Sequence, residues 1–126
     1  FGFNAGAECE HLPLNYSKNS ICYTGTHDTN TLLGWWLETD EATRDHVRRY
    51  IGVDGHDVVW DLIRLALSSV ADLAMIPIQD LAALDATARM NTPGTLTNNW
   101  TWRMTTSTRS DFIAQRLKTL SELYGR

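Results

Sequence analysis

Two short stretches constrain this chain more than anything else in it. Ser20–Gly25 (SICYTG) and Asp72–Gln79 (DLAMIPIQ) are apolar, and each runs into a polar cluster: Thr26-His27-Asp28-Thr29 after the first, Gln79-Asp80 at the end of the second. A β-branched and aromatic run of that length suits a buried strand. Pro77 weakens the second one as a central strand, although the tail of a strand tolerates proline better. Helical patterns lie between and after them, so strand and helix alternate, and alternation points to parallel βα units.

The intervening segments support this reading. Thr31–Glu38 (TLLGWWLE) reads as a helix that breaks near Asp40, where a second helix is capped and runs to Tyr50. Gly52 and Gly55 mark its stop and a turn. Asp57–Ser69 places Val59, Leu62, Ile63, Ala66 and Leu67 on one helical face. Leu81–Arg89 reads as a short helix and Met90–Asn99 as a loop. Ser110 can cap a last helix with Ile113, Leu117, Leu120 and Tyr124 on one stripe and Gly125 just past its end. Phe1–Asn19, rich in Gly, Asn and Pro, reads as an extended loop. Two such units leave sheet edges open. A (β/α)₈ barrel takes roughly 250 residues, so 126 residues, read as a single unit over 1–126, supply only its last portion. No signal peptide is read within these residues, and the opening FGFNAG reads as the middle of a longer sequence.

Charge narrows the function. A formal net charge of −4 argues against a nucleic-acid partner. The basic cluster Arg44, Arg48 and Arg49 is interleaved with Asp40, Glu41 and Asp45, which reads as a solvated face of ion pairs. No apolar run is long enough to span a bilayer, so no membrane partner is expected. Cys9 and Cys22 are expected to be reduced thiols of a cytoplasmic protein.

Both polar clusters sit where a strand ends, the face of parallel α/β folds on which ligand sites collect. His27 beside Asp28 has three readings. Asp28 can be a helix cap next to a satisfied imidazole. Metal binding needs several ligands, and His11, His46 and His56 show no ligand spacing, so no metal is expected. Third, an acceptor-only carboxylate and an imidazole can grip adjacent sugar hydroxyls.

Longer blocks carry a resemblance. Tyr23-Thr24-Gly25-Thr26-His27-Asp28-Thr29-Asn30-Thr31 with Gly34-Trp35, then Ser69-Val70-Ala71-Asp72, then Pro77-Ile78-Gln79-Asp80-Leu81 follow one another. Ala88-Arg89-Met90-Asn91-Thr92-Pro93-Gly94-Thr95 and Asn99-Trp100-Thr101-Trp102-Arg103 complete the series. In this order they resemble the signature blocks of glycoside hydrolase family 77. The resemblance implies the C-terminal portion of a (β/α)₈ barrel, about strands seven and eight with their helices. It implies transfer of an α-1,4-glucan segment to a new 4-position on an acceptor by retaining double displacement, without a cofactor. Partners would be α-1,4-glucans, maltooligosaccharides and glucose.

Residue by residue, Asp28 would be the carboxylate that stabilises the transition state by accepting from two ring hydroxyls, and His27 would donate to a neighbouring one. Asn91 would contact a sugar hydroxyl, its other reading being an asparagine that closes its own turn. Gln79 and Asp80 read as a cap that supports the site from behind. Trp100, Trp102 and Arg103 could stack on a glucan, with packing and a cation–π contact as the favoured reading. The nucleophile and the acid/base are expected in sequence before Phe1, since Glu8 and Glu10 match neither motif. The isolated chain is expected to be inactive and to self-associate through its open strands. The alternative is a non-catalytic glucan-binding or structural fragment of the same fold.

Overall fold

The computed structural model describes residues 1–126. Strands β1 (Ile21–Tyr23) and β2 (Leu73–Met75) form one parallel pair, with Ile21 opposite Leu73, Cys22 opposite Ala74 and Tyr23 opposite Met75. Three helices occupy the crossover between them: α1 (Leu32–Glu38), α2 (Glu41–Ile51) and α3 (Val58–Leu67). After β2 come a single turn of helix, α4 (Ile78–Leu81), and the long closing helix α5 (Asp111–Leu123). The chain is α/β, mostly helical, around a small sheet.

Local chemistry sets the helix starts. Thr31 Oγ1 accepts from Gly34 N at 3.0 Å, Asp40 Oδ1 from Thr43 N at 2.9 Å and Ser110 Oγ from Ile113 N at 3.1 Å. Each hydroxyl or carboxylate satisfies an N–H that has no partner inside its own helix. Gly52 ends α2 at φ 78°, a left-handed conformation that costs glycine nothing, and its N–H closes on Arg48 O. Arg48 pairs with Glu41, and Arg49 lies 3.5 Å from Asp45, as a solvated face requires. Arg44 turns away to close the end of α1, donating to the carbonyls of Trp36 and Leu37 at 2.9 and 2.8 Å.

The core is built on α3, which buries Val58, Val59, Trp60, Leu62, Ile63, Ala66 and Leu67. Leu32 of α1, Val47 of α2 and Leu120 of α5 close over it. Complete burial of a side chain such as Ile63 stabilises by roughly 1.5–3 kcal/mol. A smaller cluster of Cys22, Ala66 and Ala71 seats the sheet on α3. Because strand side chains alternate, the opposite sheet face is left open: Ile21, Tyr23, Leu73 and Met75 are each about half exposed.

Three expectations need correction. The second strand stops at Met75 rather than Gln79, because Pro77 has no N–H for a ladder and its φ of −58° starts α4 instead. Gln79 and Asp80 therefore lie on a helical turn, not at a strand tip. No helix spans Leu81–Arg89. Ala83 takes φ 49° and Asp85 caps a separate 3₁₀ turn, Ala86–Ala88, by accepting from Thr87 N. The opening segment is not a plain loop either. It carries 3₁₀ turns at Gly2–Asn4 and Pro13–Asn15, tied by Asn15 Nδ2 to the carbonyls of Ala7 and Cys9. Leu12 is 2% exposed there, and Phe3 packs edge-on against Tyr50.

Candidate functional site

The loop from Thr24 to Thr31 joins β1 to α1 and carries His27 and Asp28 at its crown. It is braced internally: Thr26 N donates to Thr29 Oγ1 at 2.9 Å, and Thr29 Oγ1 donates to Thr26 O at 3.1 Å. Gly34 serves this loop from α1, since a Cβ there would meet Asn30 Oδ1 at 2.5 Å. Asn30 uses that space to accept from Thr31 N and to donate to Glu38.

His27 and Asp28 are about half exposed, and His27 Nε2 lies 3.4 Å from Asp28 Oδ2. The other oxygen, Oδ1, accepts from Asn91 Nδ2 at 2.6 Å. Asn91 also donates its backbone N–H to His27 O at 3.0 Å. Arg89 completes the junction, with Nη2 donating to Asp28 O at 2.7 Å and Nε to Asn91 O at 2.8 Å. The loop after α4 thus grips the His-Asp pair through three hydrogen bonds from two residues, and Arg89 Nε on Asn91 O ties those two residues together. Asn91 meets the carboxylate itself and does not close its own turn. A cleft of about 500 Å³ opens beside the pair, lined by Tyr23, Thr26, His27, Asn30, Gln79 and Arg89 among others.

Asp80 braces the same loop from beneath. It is 2% exposed, and no cation pairs with it. Oδ2 accepts from Thr24 Oγ1 at 2.7 Å and Oδ1 from Leu32 N at 2.8 Å. Burial pushes its carboxyl above the ordinary range, against these two hydrogen bonds, which pull it down. Gln79 ties back to Ala88 O at 3.4 Å. The remaining carboxylate of these two loops, Asp85, is held below the usual range by Thr87, whose hydroxyl and N–H both donate to it.

Trp100 packs against His27 with ring centroids 5.1 Å apart. It adopts φ 62°, a left-handed conformation that costs a side-chain-bearing residue roughly 1–2 kcal/mol. Its N–H is held by Met90 O at 2.7 Å and its carbonyl by Arg103 at 2.8 Å. Arg103 also donates to Trp102 O, so its guanidinium serves backbone carbonyls; the rings that do carry an arginine are Trp36 and Trp60. The cation–π reading of Trp100, Trp102 and Arg103 is therefore replaced. Sequence reasoning also missed Arg89 as a holder of Asp28. No local signal marked it, because its partner lies 61 residues away in the chain.

Chemically, the pair offers carboxylate oxygens beside an imidazole ring and an amide, which suits neighbouring hydroxyls of a sugar. Comparison with known proteins leads the same way. The sequence profile of the glycoside hydrolase family 77 4-alpha-glucanotransferases matches residues 1–108. The chain is 42% identical to a chloroplastic/amyloplastic 4-alpha-glucanotransferase of Arabidopsis thaliana, over all of this chain and 23% of that protein. It is 44% identical to a 4-alpha-glucanotransferase of Synechocystis, over all of this chain and 25% of the relative. The amylomaltase of Streptococcus agalactiae, solved in complex with acarbose, superposes with a TM-score of 0.93 at 26% identity, covering 99% of this chain and 26% of that one. The chain thus spans about a quarter of the length of the relatives it matches. The braced His-Asp loop stands inside the matched region, and this chain belongs to the 4-alpha-glucanotransferases of glycoside hydrolase family 77.

Proposed function

We propose that this chain forms the C-terminal part of a 4-alpha-glucanotransferase that moves an α-1,4-glucan segment from one chain to another, or to glucose. The observation that carries the reading is the Asp28 carboxylate, set at a strand end with Oδ1 on Asn91 and His27 alongside. Retaining transfer passes through an oxocarbenium-like state, and hydrogen bonds to ring hydroxyls that strengthen there lower the barrier by several kcal/mol. Asp28 accepts from two hydroxyls of the sugar being transferred, His27 donates to a neighbour, and Asn91 holds Asp28 in line. Acarbose in the Streptococcus agalactiae amylomaltase marks the ligand class.

β1 and β2 are, in this proposal, strands seven and eight of a (β/α)₈ barrel. Their open face of Ile21, Tyr23, Leu73 and Met75 points into the barrel interior. The other strands supply the nucleophile and the acid/base, which retaining chemistry places about 5 Å apart. Both cysteines are free, which fits a reducing compartment such as the cytoplasm. The test compares the 126-residue chain with the full-length protein on maltotriose, separating products by chromatography. Longer oligosaccharides are expected from the full-length protein alone. Products from the isolated chain that vanish in Asp28→Ala would contradict this division of labour.

A further inference from the structure

The chain buries one carboxylate that the chemistry above does not use. Asp80 is sealed from water without a cationic partner, which is an expensive place for a charge. A side chain kept only for packing would be apolar. What Asp80 does touch is specific: Thr24 Oγ1 at one foot of the catalytic loop and Leu32 N at the other. One carboxylate therefore spans a segment of seven intervening residues, at whose crown His27 and Asp28 stand. Apart from Asp80, the feet are held only by one backbone bond at Thr24 and by the burial of Leu32 in the core, and neither of these joins one foot to the other. Thr24 has left the ladder after a last backbone bond to Met75 O at 3.3 Å. Leu32 is the first residue of α1, whose N–H has no acceptor within its own helix. The crown is held separately by Arg89 and Asn91, so feet and crown have different holders on the same downstream segment.

We infer that Asp80 is a positioning residue for Asp28, fixing the two feet of the Thr24–Leu32 loop so that the Asp28 carboxylate stands where the sugar hydroxyls pass through the transition state. The inference rests on the role proposed for Asp28. It requires two hydrogen bonds and a fixed span, not a negative charge as such. An asparagine at this position meets the same demand: Oδ1 accepts from Leu32 N and Nδ2 donates to Thr24 Oγ1. A leucine fills the space and breaks both bonds.

The experiment uses the full-length enzyme with four variants: Asp80→Leu, Asp80→Asn, Thr24→Val and, as comparator, Asp28→Asn. Steady-state maltotriose disproportionation gives kcat and KM separately, and thermal melts report folding. A misplacement of about 1 Å costs on the order of 100-fold in rate, so Asp80→Leu is expected to lower kcat by roughly 10- to 100-fold with KM changed less than about twofold. Asp80→Asn is expected to restore kcat to within a fewfold of wild type, and Thr24→Val to fall between. A folded Asp80→Leu with wild-type kcat overturns the inference, because a merely structural role moves the melt alone. So does an Asp80→Asn as inactive as the leucine variant, which would mean that the charge itself is required. Should Asp80→Leu fail to fold, Thr24→Val decides, and an unchanged kcat there overturns the inference. An active Asp28→Asn sinks the proposed function instead, which keeps the two failures apart.

Discussion

Replacing Asn91 by alanine separates two roles that look alike in sequence. The asparagine either grips a sugar hydroxyl itself or holds Asp28, and the 2.6 Å contact of Nδ2 with Asp28 Oδ1 supports the second. A hydrogen bond to a charged group contributes about 1.5–3 kcal/mol when sealed from water. Asp28 is half exposed, so solvent screening brings that to about 1 kcal/mol. At 1.36 kcal/mol per tenfold, Asn91→Ala in the full-length enzyme is expected to lower kcat by roughly five- to tenfold. KM should hardly move, since the carboxylate is still present and only its aim is loosened. The assay is maltotriose disproportionation with product chromatography, alongside a thermal melt to confirm folding. A loss of about 100-fold or more is the signature of a donor that acts on the transition state directly, and would refute the holding role. An unchanged kcat would refute both.

Asp80→Asn should raise the melting temperature of the full-length enzyme at pH 7. Burial lifts the folded-state carboxyl above its unfolded value of 3.8, so the folded protein is penalised once the group ionises. That gap should close as pH falls through the raised value and vanish below 3.8, where both states hold the proton; a gap independent of pH would contradict the assignment. Ile63→Ala, at a fully buried position of α3, should cost about 2–5 kcal/mol in denaturant unfolding. A cost below about 1 kcal/mol would place Ile63 outside the working core. Thr31→Ala removes the α1 cap and should cost about 1 kcal/mol; no loss would mean that Asp80 alone holds that helix start. The isolated chain should self-associate in light scattering across a dilution series, because Ile21, Tyr23, Leu73 and Met75 face outward. A compact monomer at high concentration would show that this face needs no cover.

What the sequence disclosed and what it hid follow from the range of each interaction. Asp40 and Ser110 act on N–H groups three residues downstream, so their caps were readable from neighbours alone; the α1 cap was expected from the Thr26–Thr29 cluster, and Thr31 supplies it instead. The apolar stripe of α3 was readable for the same reason, and α3 became the centre of the core. The segment 81–89 was misread because Ala-rich composition favours helix, whereas Ala83 at φ 49° and the Asp85 cap impose two separate turns. Pro77 was recognised as awkward in a strand but not as the residue that turns β2 into α4. At the site, the His-Asp pair was legible from its block. The contacts that aim it were not: Asn91 and Arg89 reach Asp28 across 63 and 61 residues of chain, and Asp80 reaches Leu32 across 48. No local pattern encodes such pairings. Trp100 was legible as an aromatic near the site, yet its left-handed backbone and its packing on His27 appear only in three dimensions.

The central claim is that Asp28 stabilises the transition state of glucan transfer, and kcat of the full-length Asp28→Asn enzyme on maltotriose tests it most directly. The amide keeps the shape and can still meet Asn91, but it loses the charge and one acceptor. Losing a contact made chiefly in the transition state costs roughly 3–4 kcal/mol by analogy with oxyanion-hole deletions, or two to three orders of magnitude in rate. A folded variant with kcat reduced by about that much, or more, is the expected result. A variant that keeps more than about a tenth of wild-type turnover, less than 1.4 kcal/mol of effect, contradicts the claim.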